Sequence, residues 1–206
     1  MNTRNNLSIA AVLVALSCLA TNATADLVQA TTWNGGGDEH HWTKAIGWQF
    51  TATNDLDVTH LGVLDLGEAG LGDRHTVGLF NSAGDLLVSS TISAGLNGDL
   101  MLDSMIYNSV DVTSLQKNET YYILADNWNA GQDAFTFGWN TVDFSNDIDW
   151  MGFSESTGGS IFDPVVHFNN GEPGNIGPGF MYRVAPSPGA LALLGLAGIA
   201  SRRRRR

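Results

Sequence analysis

The sequence has little cysteine and little positive charge. Its one cysteine, Cys18, lies among the first 25 residues, so the rest of the chain forms no disulfide and offers no thiolate metal ligand. Residues 26–185 hold all 21 acidic residues but only four basic ones, which gives this part a net charge of −17; the basic residues are Lys44, Arg74, Lys117 and Arg183. Such a charge repels phosphate backbones and anionic membranes, so we expect no nucleic-acid partner.

Residues 26–185 also lack an apolar stripe with helical spacing. Apolar and polar residues instead alternate, most clearly at 46–52, 135–139 and 180–184, which predicts strands with one buried face. The same reasoning predicts further strands at 58–66, 76–80, 86–92, 109–113, 121–125 and 160–168. Turn sequences rich in Asn and Gly separate them. About nine or ten short strands predict an all-β domain, a β-sandwich of jelly-roll type.

Residues 1–25 have the pattern of a secretory signal peptide. Arg4 precedes an apolar stretch at 7–20, and Ala23 and Ala25 give the small-x-small pattern of a cleavage site. We therefore expect export through the Sec translocon and cleavage by signal peptidase, so that the mature chain begins near Asp26. An uncleaved N-terminal anchor and a lipoprotein beginning at Cys18 are the alternatives.

Residues 186–206 combine a proline motif, an uncharged apolar stretch and a cluster of arginines. The motif is Pro186, Ser187 and Pro188, the stretch is 189–200, and the cluster is Arg202, Arg203, Arg204, Arg205 and Arg206. As a helix, the stretch would be about 18 Å long, whereas a bilayer core is about 30 Å thick. We therefore expect transient membrane insertion of a short hydrophobic helix, with the arginines held on the cytoplasmic side.

These three features, in this order, resemble the PEP-CTERM sorting signal. The usual motif of that family is Pro-Glu-Pro, and Ser187 takes the place of the glutamate. The resemblance implies that an exosortase-type membrane protease cuts near residues 186–188 and passes the protein to the cell envelope or the extracellular matrix. A permanent C-terminal membrane anchor is the alternative.

The central part carries a second resemblance, over residues 48–127. Its residues are Leu61, Gly62, Asp65, Gly70, Leu71, His75, Val77, Gly78, Leu79, Phe80, Gly84, Tyr121 and Tyr122. In this pattern the chain resembles the DUF4082 group of sandwich domains, which recurs in bacterial surface proteins with such tails. The resemblance implies a β-sandwich domain with no established enzymatic activity.

Catalytic motifs are absent from the sequence. It contains neither the Gly-x-Ser-x-Gly motif of serine hydrolases nor the Gly-x4-Gly-Lys motif of phosphate-binding loops. Pairs of carboxylates are uninformative, because any sandwich with 21 acidic residues places some of them at a hydrolase distance. We therefore expect that the protein is not an enzyme.

Two polar segments contain side chains that can bind metal ions. Asp65, Glu68 and Asp73 alternate with glycines and offer oxygen ligands for Ca²⁺, with a solvated acidic turn as the alternative. The run at 38–41 has no metal-binding spacing, and we expect an exposed loop there. His75 is expected to pack beside a turn aspartate such as Asp73.

Two tryptophans are candidates for ligand binding. Trp128 and Trp150 lie beside Asn127 and Asp149 in expected loops, where their rings could stack on the sugars of an envelope or matrix polysaccharide. The alternative is that these rings cap the ends of the core. The sequence therefore predicts an exported, non-catalytic β-sandwich protein of the cell surface or extracellular matrix, with a carbohydrate-binding module as the alternative.

Overall fold

The computed structural model describes residues 26–35, 38–128, 133–137, 142–169 and 176–186. All regular elements in these ranges are β-strands, and all of them pair antiparallel. The strands are β1 (Val28–Gln29), β2 (Thr31–Trp33), β3 (Asp38–His40), β4 (Ile46–Ala52), β5 (Leu56–Leu64), β6 (His75–Asn81), β7 (Leu86–Ile92), β8 (Leu100–Leu102), β9 (Met105–Leu115), β10 (Thr120–Ala125), β11 (Phe135–Phe137), β12 (Val142–Phe144), β13 (Ile148–Ser156), β14 (Val165–Phe168) and β15 (Pro178–Val184).

Two large sheets organise these strands. One has five strands in the order β1-β15-β5-β9-β8, and the other has six in the order β14-β13-β4-β10-β6-β7. The pairs β3–β11 and β2–β12 form two small additional sheets. Apolar side chains from both large sheets lie in one buried cluster, so the two sheets pack on each other. The expected all-β, sandwich-like fold class is confirmed.

Aromatic rings from both large sheets fill the space between them. Trp48 of β4 stacks on Phe180 of β15, with ring centroids 5.8 Å apart and an interplanar angle of 18°. Phe50 lies 5.2 Å from the same Phe180 ring. The buried indole of Trp48 donates its Nε1–H to the carbonyl of Pro178 at 2.8 Å, so its polar atom is satisfied inside the core.

Most alternating segments form strands where the sequence predicts them. Residues 46–52 and 86–92 are β4 and β7. At 160–168, by contrast, only Val165–Phe168 is a strand, and the preceding residues form turns. The prediction of a loop at 38–41 is wrong for Asp38–His40, because the backbone of these residues forms β3 and pairs with β11.

Strand β13 is a central strand that the sequence pattern did not reveal. Its register shifts between Trp150 and Gly152, which is the mark of a β-bulge. Trp150 pairs with Phe50 before the shift, and Phe153 pairs with Trp48 after it. The extra residue moves the side chains after the bulge to the opposite face of the sheet. Apolar and polar residues therefore do not alternate regularly in the sequence of the whole strand.

Both ends of the described domain emerge from the same end of the five-stranded sheet. Val28 of β1 pairs with Tyr182 of β15, and the two strands are antiparallel. The chain therefore enters β1 and leaves β15 at one end, where the backbone N–H of Ala185 donates to the carbonyl of Asp55 at 2.8 Å. We call this end the terminal end. The opposite end carries the loop at 65–74 and is called the distal end.

The predicted export and sorting signals lie almost entirely outside the described residues. This applies to Ala23 and Ala25, to Ser187 and Pro188, and to Arg202, Arg203, Arg204, Arg205 and Arg206. Pro186 is described and is exposed, shortly after β15 ends. Within the ranges that the structure describes, none of the elements is a helix long and apolar enough to cross a membrane.

Candidate functional site

A groove with a volume of about 300 Å³ opens on the outer face of the six-stranded sheet. Strands β6, β7 and β10 form one part of it, and the loop between β13 and β14 forms the other. Residues that line it include Phe80, Leu86, Tyr122, Ile161, Phe162 and Asp163. We call this feature the outer groove, because the sheet separates it from the core between the two sheets.

The base of the outer groove is a pair of stacked aromatic rings. Phe80 and Tyr122 are neighbours on paired strands, and their rings lie parallel with centroids 4.9 Å apart and an interplanar angle of 5°. Ile161 packs against them from the loop and is itself buried. The outer face of the sheet therefore has a small apolar core of its own, and the groove opens beside it.

The loop at 157–164 forms the wall of the groove and is held by its own hydrogen bonds. The carboxylate Oδ2 of Asp163 accepts from the N–H of Ser160 at 2.9 Å, and the N–H of Thr157 donates to the carbonyl of Pro164 at 2.7 Å. A Cβ on Gly158 would collide with the same Asp163 Oδ2, so this side chain would have to move if a larger residue replaced the glycine. The loop presents Phe162, whose side chain is 66% exposed, at the rim.

Two polar groups at the groove have capacity for further hydrogen bonds. The Tyr122 hydroxyl has no partner among the described residues, and burial, followed by the charge of Asp85, raises the pKa of this phenol. Asp163 uses Oδ2 for Ser160, and no described residue donates to its Oδ1. The groove therefore offers one hydroxyl and one carboxylate oxygen beside aromatic surface.

His167 adds a ring at the edge of this arrangement. It contacts Tyr122 edge-on, with centroids 4.8 Å apart, and its Nδ1 lies 2.8 Å from the hydroxyl of Ser154. Partial burial lowers the pKa of His167. The imidazole is therefore mostly neutral at pH 7 and brings no full positive charge to the groove.

No family model, curated protein or solved structure matches this chain. What the site does must therefore be inferred from its own chemistry. Besides the outer groove, the molecule has a second concentration of polar groups around His75, at the distal end.

His75 is fully buried and both of its ring nitrogens are engaged. Nδ1 lies 2.6 Å from the carbonyl oxygen of Asp126, and Nε2 lies 2.9 Å from Oδ2 of Asp133. A carbonyl and a carboxylate are both acceptors, so each ring nitrogen faces a hydrogen-bond partner within the protein. Trp128 covers the imidazole, with ring centroids 4.7 Å apart. Both nitrogens therefore contact groups of the protein itself, and the buried ring has no exposed edge for a substrate.

Asp133 is the centre of this His75 cluster. Besides His75, its carboxylate accepts the N–H groups of Gly72 at 2.8 Å and Asp73 at 2.9 Å. Burial alone would raise the pKa of Asp133, but these three hydrogen bonds hold it below its usual value. The cluster therefore ties the loop at 65–74 to β6. The expectation that His75 packs beside Asp73 identified the right loop but missed Asp133, which lies 58 residues further along the chain.

The three carboxylates considered for Ca²⁺ make separate contacts. Asp65 accepts from the N–H of Gly70 at 2.8 Å, and Glu68 accepts from the hydroxyl of Ser104 at 2.7 Å. Asp73 accepts from the N–H of Arg74 at 2.7 Å. Among the residues that the structure describes, no three His, Cys, Asp or Glu side chains come together as a metal site.

The two candidate tryptophans occupy different environments. Trp128, expected with its ring in a loop, is completely buried, and its Nε1–H donates to the carbonyl of Ala125 at 2.8 Å. A ring with no exposed face offers nothing to a sugar. Trp150 is partly buried against Phe144, at a centroid distance of 6.3 Å.

The outer groove itself was not predicted, although the sequence contains a signal for it. The run from Tyr121 to Ala125 is apolar at every position, and all five residues are buried. A continuous apolar strand indicates that both faces of the sheet are covered. The pattern cannot identify the covering segment, which is the loop at 157–164.

Proposed function

We propose that the protein is exported and displayed at the cell surface or in the extracellular matrix as a non-catalytic β-sandwich protein of the DUF4082-like kind. The observation that carries this proposal is the pairing of β1 with β15. A leader before Asp26 and a sorting tail after Pro186 both leave from the terminal end. When a signal at either terminus holds the chain at the membrane, the distal end therefore faces away from the membrane.

The sorting step belongs to the same proposal. The tail acts as a PEP-CTERM-like signal: Arg202 to Arg206 stay on the cytoplasmic side, and an exosortase-type protease cuts near Pro186, Ser187 and Pro188. Pro186 is exposed just beyond β15, which supports access of a protease to a folded substrate. We also assign the jelly-roll type to the sandwich, because connections such as β4 to β5 and β9 to β10 pass from one large sheet to the other.

The chemistry of the described residues supports a role without catalysis. Both nitrogens of the buried His75 are occupied. The residues that line the outer groove include one carboxylate, Asp163. Glycoside hydrolysis by the usual routes requires two carboxyl groups, about 5 to 9.5 Å apart. Asp163 is the one carboxylate among the described residues that line the groove, and it closes its own loop by accepting from Ser160, which suits ligand binding better than cleavage.

The test of this proposal is the intact mass of the protein recovered from the producing cells. We expect a mature chain that begins near Asp26 and ends near residues 186–189. A variant with Arg202 to Arg206 replaced by alanine should retain its tail, whereas the control Lys117→Ala, on an exposed turn, should be processed normally. If the natural protein keeps residues 189–206, the tail is an anchor and the sorting proposal is wrong.

A second candidate function is carbohydrate binding, and the outer groove favours it. The groove combines exposed aromatic surface at Phe162 with the free hydroxyl of Tyr122. This surface takes the place of Trp128, whose ring is buried. Binding of the processed protein to matrix polysaccharide, measured by co-sedimentation, tests this candidate without assigning a site.

A further inference from the structure

We propose that the outer groove is the saccharide-binding site of this protein and that its ligand is a short segment of a neutral polysaccharide. The inference rests on the second candidate function and adds to it the location of the site and the class of ligand. It is carried by the size of the groove, its aromatic and polar groups, its rigidity and its charge.

The size of the groove suits a small ligand. Its volume of about 300 Å³ is at the lower end of the range for small-molecule sites, about 300 to 1,000 Å³. A stable folded partner needs about 800 Å² of contact surface on each side. A few sugar units of a longer chain fit such a groove, and the chain can leave it at the open side.

The groups in the groove match the two kinds of surface on a sugar. The C–H face of a pyranose packs on an aromatic ring, and Phe162 presents such a ring to solvent at the rim. The hydroxyl groups need donors and acceptors close to that ring. The Tyr122 hydroxyl and Oδ1 of Asp163 supply them without breaking any hydrogen bond of the protein.

The wall of the groove is formed before a ligand arrives. The backbone N–H of Ala45 donates to the carbonyl of Gly158 at 3.2 Å, and Asp163 closes the turn by accepting from Ser160. Ile161 anchors the middle of the loop in the small outer core. A ligand therefore does not have to order this loop on binding, which lowers the entropic cost of a weak polar interaction.

The charge around the groove selects against anions. Asp163 lines it, Asp85 lies near Tyr122, and the domain as a whole carries −17. His167, at the edge, is mostly neutral at pH 7. A uronic-acid polymer would bring further negative charge to this surface, whereas a neutral glycan would not.

The experiment uses the processed protein recovered from the producing cells. Isothermal titration calorimetry is carried out with cellohexaose, laminarihexaose and isomaltohexaose as neutral probes, with hexagalacturonate as the anionic probe and with chitosan hexamer as the cationic one. We expect at least one neutral hexamer to bind and hexagalacturonate not to bind.

Three variants then locate the site. Phe162→Ala removes the exposed ring and should weaken binding about tenfold, and Tyr122→Phe removes the free hydroxyl and should weaken it about fivefold. Val112→Ala is the matched control, because Val112 is 65% exposed on β9 of the other sheet. The affinity of Val112→Ala for the neutral hexamer should equal that of the unchanged protein. Circular dichroism establishes that each variant is folded.

Each contrary result has a distinct meaning. If no neutral hexamer binds, or if Phe162→Ala binds as well as Val112→Ala, the assignment of the groove is wrong. Neutral binding that survives Phe162→Ala but is lost in Trp150→Ala leaves carbohydrate binding intact and places it elsewhere. Binding of the chitosan hexamer alone would show that the ligand is a cationic chain. A change in the molar mass of Phe162→Ala, measured by light scattering, would show that the groove binds a second copy of the protein.

Discussion

The His75 cluster and the outer groove are built from the same kinds of side chains, but they differ in how many hydrogen bonds are left to make. In the cluster, His75 uses both ring nitrogens and Asp133 accepts three hydrogen bonds. In the groove, the Tyr122 hydroxyl and Oδ1 of Asp163 have no partner among the described residues. The cluster is therefore a structural unit, whereas the groove can accept a ligand without losing internal contacts.

The difference follows from burial. An unpartnered polar group in the interior costs about 1 to 3 kcal/mol, so a stable fold satisfies the polar atoms of a buried cluster. At the wall of the groove, the Asp163 side chain is only partly buried, so water can satisfy its free oxygen at little cost. The density of His, Asp and aromatic residues is thus a poor guide to function here, and the unused hydrogen-bonding capacity is a better one.

The largest expected effect comes from removing the centre of the cluster. Asp133→Ala leaves His75 and the N–H groups of Gly72 and Asp73 without their acceptor. Each buried donor left without its acceptor costs about 1 to 3 kcal/mol, so the loss of this shared acceptor should cost about 3 kcal/mol. Urea unfolding followed by circular dichroism should show a decrease of this size in the free energy of unfolding.

The matched control for this change is Asp163→Asn in the groove. Asparagine keeps an oxygen that can accept from Ser160, so its effect should stay within about 0.5 kcal/mol. Equal losses of stability in the two variants would contradict the contrast between a satisfied cluster and an open groove.

A smaller effect is expected from Gly158→Ala, which pushes on the groove wall. The new methyl group would collide with Oδ2 of Asp163 and would displace that carboxylate from Ser160. We expect a loss of about 1 to 3 kcal/mol in unfolding free energy, together with weaker saccharide binding. Gly67→Ala is the control, since its nearest neighbour, the Cβ of Ala69, is 4.0 Å away. A Gly158→Ala protein with unchanged stability would show that the wall is not rigid.

The pH dependence of stability distinguishes two carboxylates at the distal end. Hydrogen bonds hold the pKa of Asp133 down against the effect of burial, so its stabilisation is complete above the unfolded-state pKa of about 3.9. It is lost as the pH falls through the lower folded-state pKa. Burial raises the pKa of Asp126, so the folded state binds its proton more tightly than the unfolded state does. The contribution of Asp126 to stability therefore increases as the pH falls.

The measurement is the free energy of unfolding of wild type, Asp133→Asn and Asp126→Asn between pH 7 and pH 3. The stability of wild type relative to Asp133→Asn should decrease below about pH 4. Its stability relative to Asp126→Asn should increase as the pH falls towards the raised pKa of Asp126. Changes of the same sign in both comparisons would contradict the assigned directions.

The strands could be predicted from the sequence wherever one face is buried and the register is regular. Alternation locates β4 and β7, because their side chains point in turn to two different environments. It fails at β13, where the bulge between Trp150 and Gly152 inverts the phase. Short strands such as β1 and β8 contain too few residues for any period to be visible.

The two polar regions could be predicted only in part. His75 stands out in the sequence, but its partner Asp133 lies 58 residues further along the chain, in the segment just before β11, so local spacing does not reveal it. The Tyr121 to Ala125 run indicates a doubly covered strand, whereas the covering loop at 157–164 is distant along the chain. Pairings between distant segments depend on the three-dimensional fold, which residue patterns alone do not specify.

The smallest expected effect compares two tyrosine hydroxyls. Tyr182 is buried, and its hydroxyl lies 2.7 Å from Ser145 Oγ and 2.9 Å from Oδ2 of Asp147. Tyr182→Phe should therefore cost about 1 to 2 kcal/mol of unfolding free energy. Tyr122→Phe should change it by less than about 0.5 kcal/mol, because the lost hydroxyl has no hydrogen-bond partner among the described residues. Tyr122→Phe should nevertheless weaken saccharide binding, which Tyr182→Phe should leave unchanged. A substantial loss of stability in Tyr122→Phe would mean that its hydroxyl serves the fold and is not available to a ligand.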